Sequence, residues 1–143
     1  MQTFIVGIML IALTGMTGCS HLFHPRSSEY MEKAKGPTDV DTVLNLIPML
    51  EASAKASHGP DYKQPMDDLH NQYHALHDAF REIDKPTTDT PAYAKAYTIE
   101  KELWTIFKPL WWNQSDQALR NVHLDLFERR LGEFREALQA LKH

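Results

Sequence analysis

A chain of 143 residues with a net charge of −4 and a single cysteine is long enough for one ordinary domain. Its 15 Lys and Arg residues against 19 Asp and Glu residues leave no excess of positive charge, which argues against nucleic-acid binding. One cysteine cannot form a disulfide within the chain, so we expect the fold to depend on its hydrophobic core alone.

The N-terminus contains an uninterrupted apolar run over residues 4–13. A membrane-spanning helix needs about 20 such residues, so this run predicts the core of a signal peptide and not an anchor helix. Met16, Thr17 and Gly18 follow the run and lead directly to Cys19. This order resembles the lipobox of bacterial lipoproteins.

The resemblance implies a lipid anchor. Residues 1–18 would be removed as a lipoprotein signal peptide, and the Cys19 thiol would carry diacylglycerol, with acyl chains of the palmitate type. Ser20 follows the cysteine, whereas an Asp at this position would favour retention in the inner membrane. The resemblance therefore implies the bacterial outer membrane, with the domain facing the periplasm. We expect residues 19–37 to be the acylated cysteine and a tether, and residues 38–143 to be the folded domain.

The first long helix is predicted to begin at Thr38, because its hydroxyl can cap the helix and acidic residues follow in the first turn. Pro48 lies inside the apolar pattern and is expected to kink or divide the helix, since proline removes one backbone hydrogen bond. A shorter helix is expected from Glu29 to Lys35. The apolar positions of the long helix recur at helical spacing: Val40, Val43, Leu44, Ile47, Leu50 and Ala54.

The second and third helices are separated by a predicted loop over residues 85–89. Thr90 followed by Pro91 is typical of the first turn of a helix, and Pro109 is expected to disturb the end of that helix. The second helix carries a heptad seam, which consists of Met66, Leu69, Tyr73, Leu76, Phe80 and Ile83. The third helix has one apolar face, which consists of Ala92, Ala96, Ile99, Leu103, Ile106 and Leu110.

The fourth helix is predicted to open at Ser115 and Asp116 and to run nearly to the C-terminus. Its apolar residues again alternate at spacings of three and four: Leu124, Phe127, Leu131, Phe134, Leu138 and Leu141. No segment alternates with a period of two over the length of a strand. Short loops between helices of this kind predict an all-α fold, an antiparallel four-helix bundle.

Histidines on one side of the second helix are the strongest candidates for chemistry. His70 and His74 have the i, i+4 spacing that allows two imidazoles to bind one metal ion. Asp67 and His77 extend the same stripe, and zinc or copper would suit these ligands. The alternative is that the stripe is only the solvated flank of the helix, because charged residues continue it through residue 84.

Two further sites depend on ligands from other helices. A metal site would draw its fourth ligand from a residue such as Glu100 or His123. Residues 65–84 resemble a helix of the soluble b-type cytochrome bundles, which implies non-covalent haem as a remote alternative, with Met31 and His123 as its nearest axial ligands. No Cys-x-x-Cys-His motif is present, which excludes covalent c-type haem.

The densest aromatic cluster lies near the end of the third helix and includes Phe107, Leu110, Trp111 and Trp112. Tryptophan is enriched at the centres of protein interfaces and at lipid interfaces, so this cluster is a candidate docking surface. The alternative is a plug that closes one end of the bundle. Two adjacent tryptophans cannot both face inward from a regular helix, however.

The sequence lacks the common motifs of enzymes. It has no Gly-x-Ser-x-Gly, no glycine loop for phosphate and no His-Glu-x-x-His, so we predict that the chain is not an enzyme. The leading hypothesis is a membrane-anchored scaffold, assembly or accessory subunit of an envelope complex, with a protein partner and no cofactor besides the covalent lipid. The second hypothesis is a zinc- or copper-binding bundle. The two differ in whether the histidine stripe faces a partner helix or open water.

Overall fold

The computed structural model describes residues 24–142, apart from the side chains of Lys85 and Pro86. The predictions for the signal peptide 1–18, for the acylation of Cys19 and for residues 20–23 of the tether lie outside the described residues. The described chain is all-helical and contains no strand, which confirms the predicted fold class. Its helices are α1 (Ser27–Ala34), α2 (Asp39–Ala56), α3 (Lys63–Arg81), α4 (Lys85–Thr88), α5 (Pro91–Trp112) and α6 (Gln117–Gln139), followed by a 3₁₀ turn, Ala140–Lys142.

The four long helices α2, α3, α5 and α6 form the predicted bundle. α2 packs on both α3 and α6, and α5 packs on α6. α3 and α5 are antiparallel, because Phe80 near the end of α3 stacks on Tyr93 near the start of α5, whereas His70 stacks on Trp111 near the end of α5. Side chains of α3 and α5 meet at the candidate site, where His70 stacks on Trp111 and His74 meets Trp104.

Three of the long helices, α2, α5 and α6, begin where the sequence predicts, because each of the three has a side-chain cap, whereas α3 begins without one. Thr38, Thr90 and Asp116 each accept a hydrogen bond from the backbone N–H three residues later, at 3.1, 3.2 and 3.1 Å. Such a cap satisfies one of the free amide groups of the first turn. Pro48 lies inside α2 without dividing it, and Pro109 lies in the last turn of α5.

The heptad seams form the hydrophobic core. All six seam residues of the second predicted helix are buried, and in α6 the seam is buried as far as residue 138. The largest rings in the core come from three different helices: Tyr73, Phe80, Phe107, Phe127 and Phe134. Tyr73 and Phe107 stack with their centroids 4.7 Å apart, and Phe80 meets Phe134 edge to face at 5.4 Å. These contacts fix the spacing of α3, α5 and α6.

The described part of the predicted tether is folded onto the bundle. α1 packs on α3 and α2. Arg26 forms ion pairs with Asp67 and Asp68 of α3, and its backbone N–H donates a hydrogen bond to Asn71 Oδ1 at 3.2 Å. Tyr30 donates a hydrogen bond to Asp68 at 2.9 Å. The predicted tether, residues 19–37, therefore contains a segment from residue 24 onward that packs on the bundle.

One arginine is buried between two loops. Arg120, in the first turn of α6, is only 2% exposed. Its guanidinium group donates hydrogen bonds to the backbone carbonyls of Ser57 at 2.9 Å, Gln114 at 2.6 Å and Gly59 at 3.4 Å. It also lies 3.9 Å from the centre of the Tyr62 ring. This side chain joins the α2–α3 connection to the α5–α6 connection.

Candidate functional site

The histidine stripe of α3 faces α5. The His70 ring stacks on Trp111 with a centroid distance of 3.8 Å and lies 5.7 Å from the Phe107 ring. His74 meets Trp104 edge to face at 6.0 Å. Aromatic residues recur on α5 at helical spacing, so they form a wall opposite the stripe. The stripe is therefore not a fully solvated flank of α3.

A third histidine, His24, joins His70 and His74. The His24 ring lies parallel to the His74 ring at 3.3 Å and meets the His70 ring edge-on at 4.6 Å. One ligand nitrogen from each of the three imidazoles lies within 4.8 Å of the other two. We call these three residues the histidine cluster. Ser27 holds the His24 backbone in place, because its N–H and its hydroxyl both donate hydrogen bonds to the His24 carbonyl.

The surroundings keep the cluster neutral. Burial and the neighbouring histidines lower the pKa of His70 to about 4 and that of His74 to about 3. Burial also lowers the pKa of His24, although Asp78 opposes this effect. Neutral imidazole is the form that binds a metal ion, since the ligand nitrogen must carry a free lone pair. The cluster therefore offers three neutral nitrogen ligands near pH 7.

Two nitrogens of the cluster are buried without a hydrogen-bond partner in the described part of the chain: Nδ1 of His24 and Nε2 of His74. A buried polar atom without a partner costs free energy, so such atoms are uncommon without a reason. A bound ion would satisfy them. In a zinc site each ligand nitrogen would lie about 2.0–2.1 Å from the ion. Because imidazole binds metal in the plane of its ring, His24 would have to rotate out of its stack with His74.

The other two residues of the predicted metal set lie elsewhere. Asp67 forms an ion pair with Arg26, which is part of the attachment of α1. His77 Nδ1 lies 2.8 Å from Glu100 Oε1, and this hydrogen bond raises the pKa of His77. The structure thus brings together His70 and His74 of the predicted set, but not Asp67 and His77.

The additional ligands suggested by the sequence are also apart from the cluster. Glu100 is only 4% exposed and is engaged by His77 and by the Tyr73 hydroxyl, whose oxygen lies 3.4 Å from Glu100 Oε1. For haem, Met31 lies on α1, which packs on α2 and α3, whereas His123 lies on α6, which packs on α2 and α5. His123 keeps a buried Nδ1 without a described partner.

The predicted docking residues divide between the core and the surface. Phe107 and Leu110 are buried in the core, and Trp111 is partly buried and packed against it. Trp112 is 77% exposed. The plug alternative fits the first three residues. Trp112 points outward because adjacent positions on a helix face different directions.

Sequence reasoning missed His24, because it placed this residue in the tether. His24 precedes α1 and therefore shares no helical period with His70 and His74. Only its residue type signalled a possible ligand.

Comparisons with protein-family models, with curated proteins and with solved structures find no match to this chain. None of the described helices has both the length and the apolar character needed to cross a membrane.

Proposed function

We propose that this chain is a non-enzymatic, lipid-anchored protein that binds one copper or zinc ion through His24, His70 and His74. The convergence of three neutral imidazoles from two separate segments is the observation that carries this proposal. A solvated histidine stripe would leave the rings apart and free to protonate near pH 6.5. This cluster instead packs its rings against one another and against the aromatic wall of α5.

The ligand set favours copper or zinc over other common ions. Imidazole nitrogen suits both, whereas magnesium and calcium prefer oxygen ligands. At a site of nitrogen ligands Cu²⁺ generally binds more tightly than Zn²⁺. We therefore expect the cluster to bind both ions, with copper bound more tightly.

The proposed anchor would place this ion near the membrane. Cys19 precedes His24 by five positions. Five residues of fully extended chain span about 18 Å at most. If Cys19 is acylated as the lipobox resemblance implies, the Cα atom of His24 lies within that distance of the Cα atom that carries the lipid. The ion would then be bound at the periplasmic surface of the outer membrane.

Metal titration of the chain from residue 20 onward tests the metal site. We expect one Cu²⁺ or Zn²⁺ per chain by calorimetry and elemental analysis. His24→Ala should weaken binding by at least roughly tenfold, since loss of a direct ligand costs no less than loss of a residue that only hydrogen-bonds to a ligand. His77→Ala is the matched control and should change the affinity by less than about threefold. Equal losses in both variants, or no stoichiometric binding to the unaltered chain, would refute the proposed site.

A second candidate function, docking of an envelope protein, is favoured by the exposure of Trp112. A tryptophan that is 77% exposed leaves most of a large apolar ring in water, and such rings are enriched at interface centres. Cross-linking in intact membranes tests it. Trp112→Ala should abolish a specific cross-linked partner, whereas Val122→Ala, which removes an exposed apolar side chain from α6, should retain it. Retention of the partner by the Trp112 variant would exclude this surface.

A further inference from the structure

A groove of about 600 Å³ runs between α3 and α5, beyond the histidine cluster. Aromatic rings form its walls and two cationic side chains lie along it: Phe80, Tyr93, Tyr97 and Trp104, with Arg81 and Lys101. His74 borders the groove at one end and is also part of the histidine cluster. The predicted metal set includes His74 and His77, which border the groove, but no predicted function uses Arg81 or Lys101.

The aromatic rings along the groove stack on one another, and two of them are exposed. Phe80 and Tyr93 stack almost in parallel at 5.1 Å, and Tyr93 stacks on Tyr97 at 6.2 Å. Tyr97 is 44% exposed and Trp104 is 41% exposed, so both rings leave apolar surface in water. Rings arranged in this way favour a flat aromatic molecule, because offset stacking adds to the gain from burying apolar area.

The charges of the groove favour an anion. Its one acidic side chain, Glu100, is buried and already engaged by His77 and Tyr73. Among residues 24–142, Arg81 forms no ion pair with an acidic side chain, and Lys101 only lies over the Tyr97 ring, at 4.5 Å. Two cations therefore remain available along an aromatic surface. A guanidinium group can also hold a carboxylate through two parallel hydrogen bonds.

We infer that the groove between α3 and α5 binds a small planar aromatic carboxylate. The aromatic body lies against Tyr97 and Trp104, and the carboxylate is held by Arg81 and Lys101. This site needs neither a metal ion nor the lipid anchor, so it is independent of the proposed function. It gives the chain a second ligand class, an organic anion.

Calorimetric titration with 2-naphthoate, in the presence of a chelator, tests this inference. We expect saturable binding to the unaltered chain and no binding of the cationic analogue 2-naphthylmethylammonium. Arg81→Glu and Lys101→Glu should each weaken naphthoate binding by roughly tenfold, since a like charge then faces the carboxylate. Lys95→Glu is the matched control, because Lys95 is exposed on α5 and does not line the groove. It should leave the affinity nearly unchanged.

Two results of the naphthoate titration would overturn the inference. Absence of naphthoate binding to the unaltered chain would overturn the inference, and so would an equal loss in the Lys95 variant, which would indicate a nonspecific effect of net charge. Circular dichroism shows whether each variant is folded. If a glutamate variant is unfolded, Arg81→Gln and Lys101→Gln replace it, with a smaller loss expected. Metal titration of the same samples without chelator measures binding to the histidine cluster. Loss of naphthoate binding can therefore be distinguished from loss of metal binding.

Discussion

Replacement of Arg120 by methionine is expected to lower the free energy of unfolding by about 3 kcal/mol, a large effect for a single side chain. Methionine fills part of the space but donates no hydrogen bond. The carbonyls of Ser57, Gln114 and Gly59 would then lose this donor. The hydrogen bond to Ser57 is buried and the other two are partly buried, and a buried acceptor without a partner costs about 1–3 kcal/mol. The stacking of the guanidinium group on Tyr62 would also be lost.

Urea unfolding followed by circular dichroism measures this effect. Arg129→Met is the matched control, because Arg129 is exposed and lies on the same helix, and the substitution is again arginine to methionine. We expect the control to change the free energy of unfolding by less than about 0.5 kcal/mol. Similar values for the two variants would contradict the proposal that Arg120 joins the two connections.

The four long helices could be predicted because their signals are local. Capping residues such as Thr90 and Asp116 act on the helix that follows them directly, and the apolar seams repeat within each helix. Arg120 shows the limit of this reasoning. In sequence it is an ordinary charged residue in the first turn of a helix, and its burial depends on two loops that lie about 60 positions apart in the chain.

In the candidate site, too, the local part could be predicted from the sequence and the long-range part could not. The spacing of His70 and His74 brings them to one side of α3, so sequence reasoning could pair them. The third member, His24, is placed beside them by the packing of α1 on α3. That packing depends on contacts between Arg26 and residues of α3 that lie more than 40 positions later in the chain. Such contacts have no periodic signal. When α1 docks, Arg26 forms an ion pair with Asp67, and the buried Glu100 of α5 pairs with His77. Both residues are therefore engaged elsewhere and do not join the predicted metal set.

A neutral histidine cluster is useful for metal binding but destabilises the fold in acid. Each lowered pKa means that the folded chain resists a proton that the unfolded chain accepts. His70, with a pKa of about 4, and His74, with a pKa of about 3, both resist protonation below pH 6.5. His77 has the opposite effect, because Glu100 raises its pKa. The contributions of His70 and His74 to stability should therefore respond to pH with the opposite sign to that of His77.

The double variant His70→Gln, His74→Gln is expected to lose metal binding and to resist acid better than the unaltered metal-free chain. Between pH 6.5 and 4 the unfolded state of the unaltered chain binds more protons at these positions, so its stability falls with pH. We expect this contribution to the fall between pH 7.5 and 5 to be about 2 kcal/mol, after allowance for solvent screening of half-buried rings. Glutamine does not titrate, so the variant should lack this contribution.

Urea unfolding at pH 7.5, 6 and 5 in the presence of a chelator measures the difference, and His77→Gln provides a control of opposite sign. The raised pKa of His77 gives stability that is fully present below about pH 6.5 and is lost as the pH rises through the higher folded value. The His77 variant should therefore lose more stability at pH 5 than at pH 7.5. Parallel pH profiles for the unaltered chain and the double variant would show that His70 and His74 are solvated, and a cluster of neutral ligands would then be excluded.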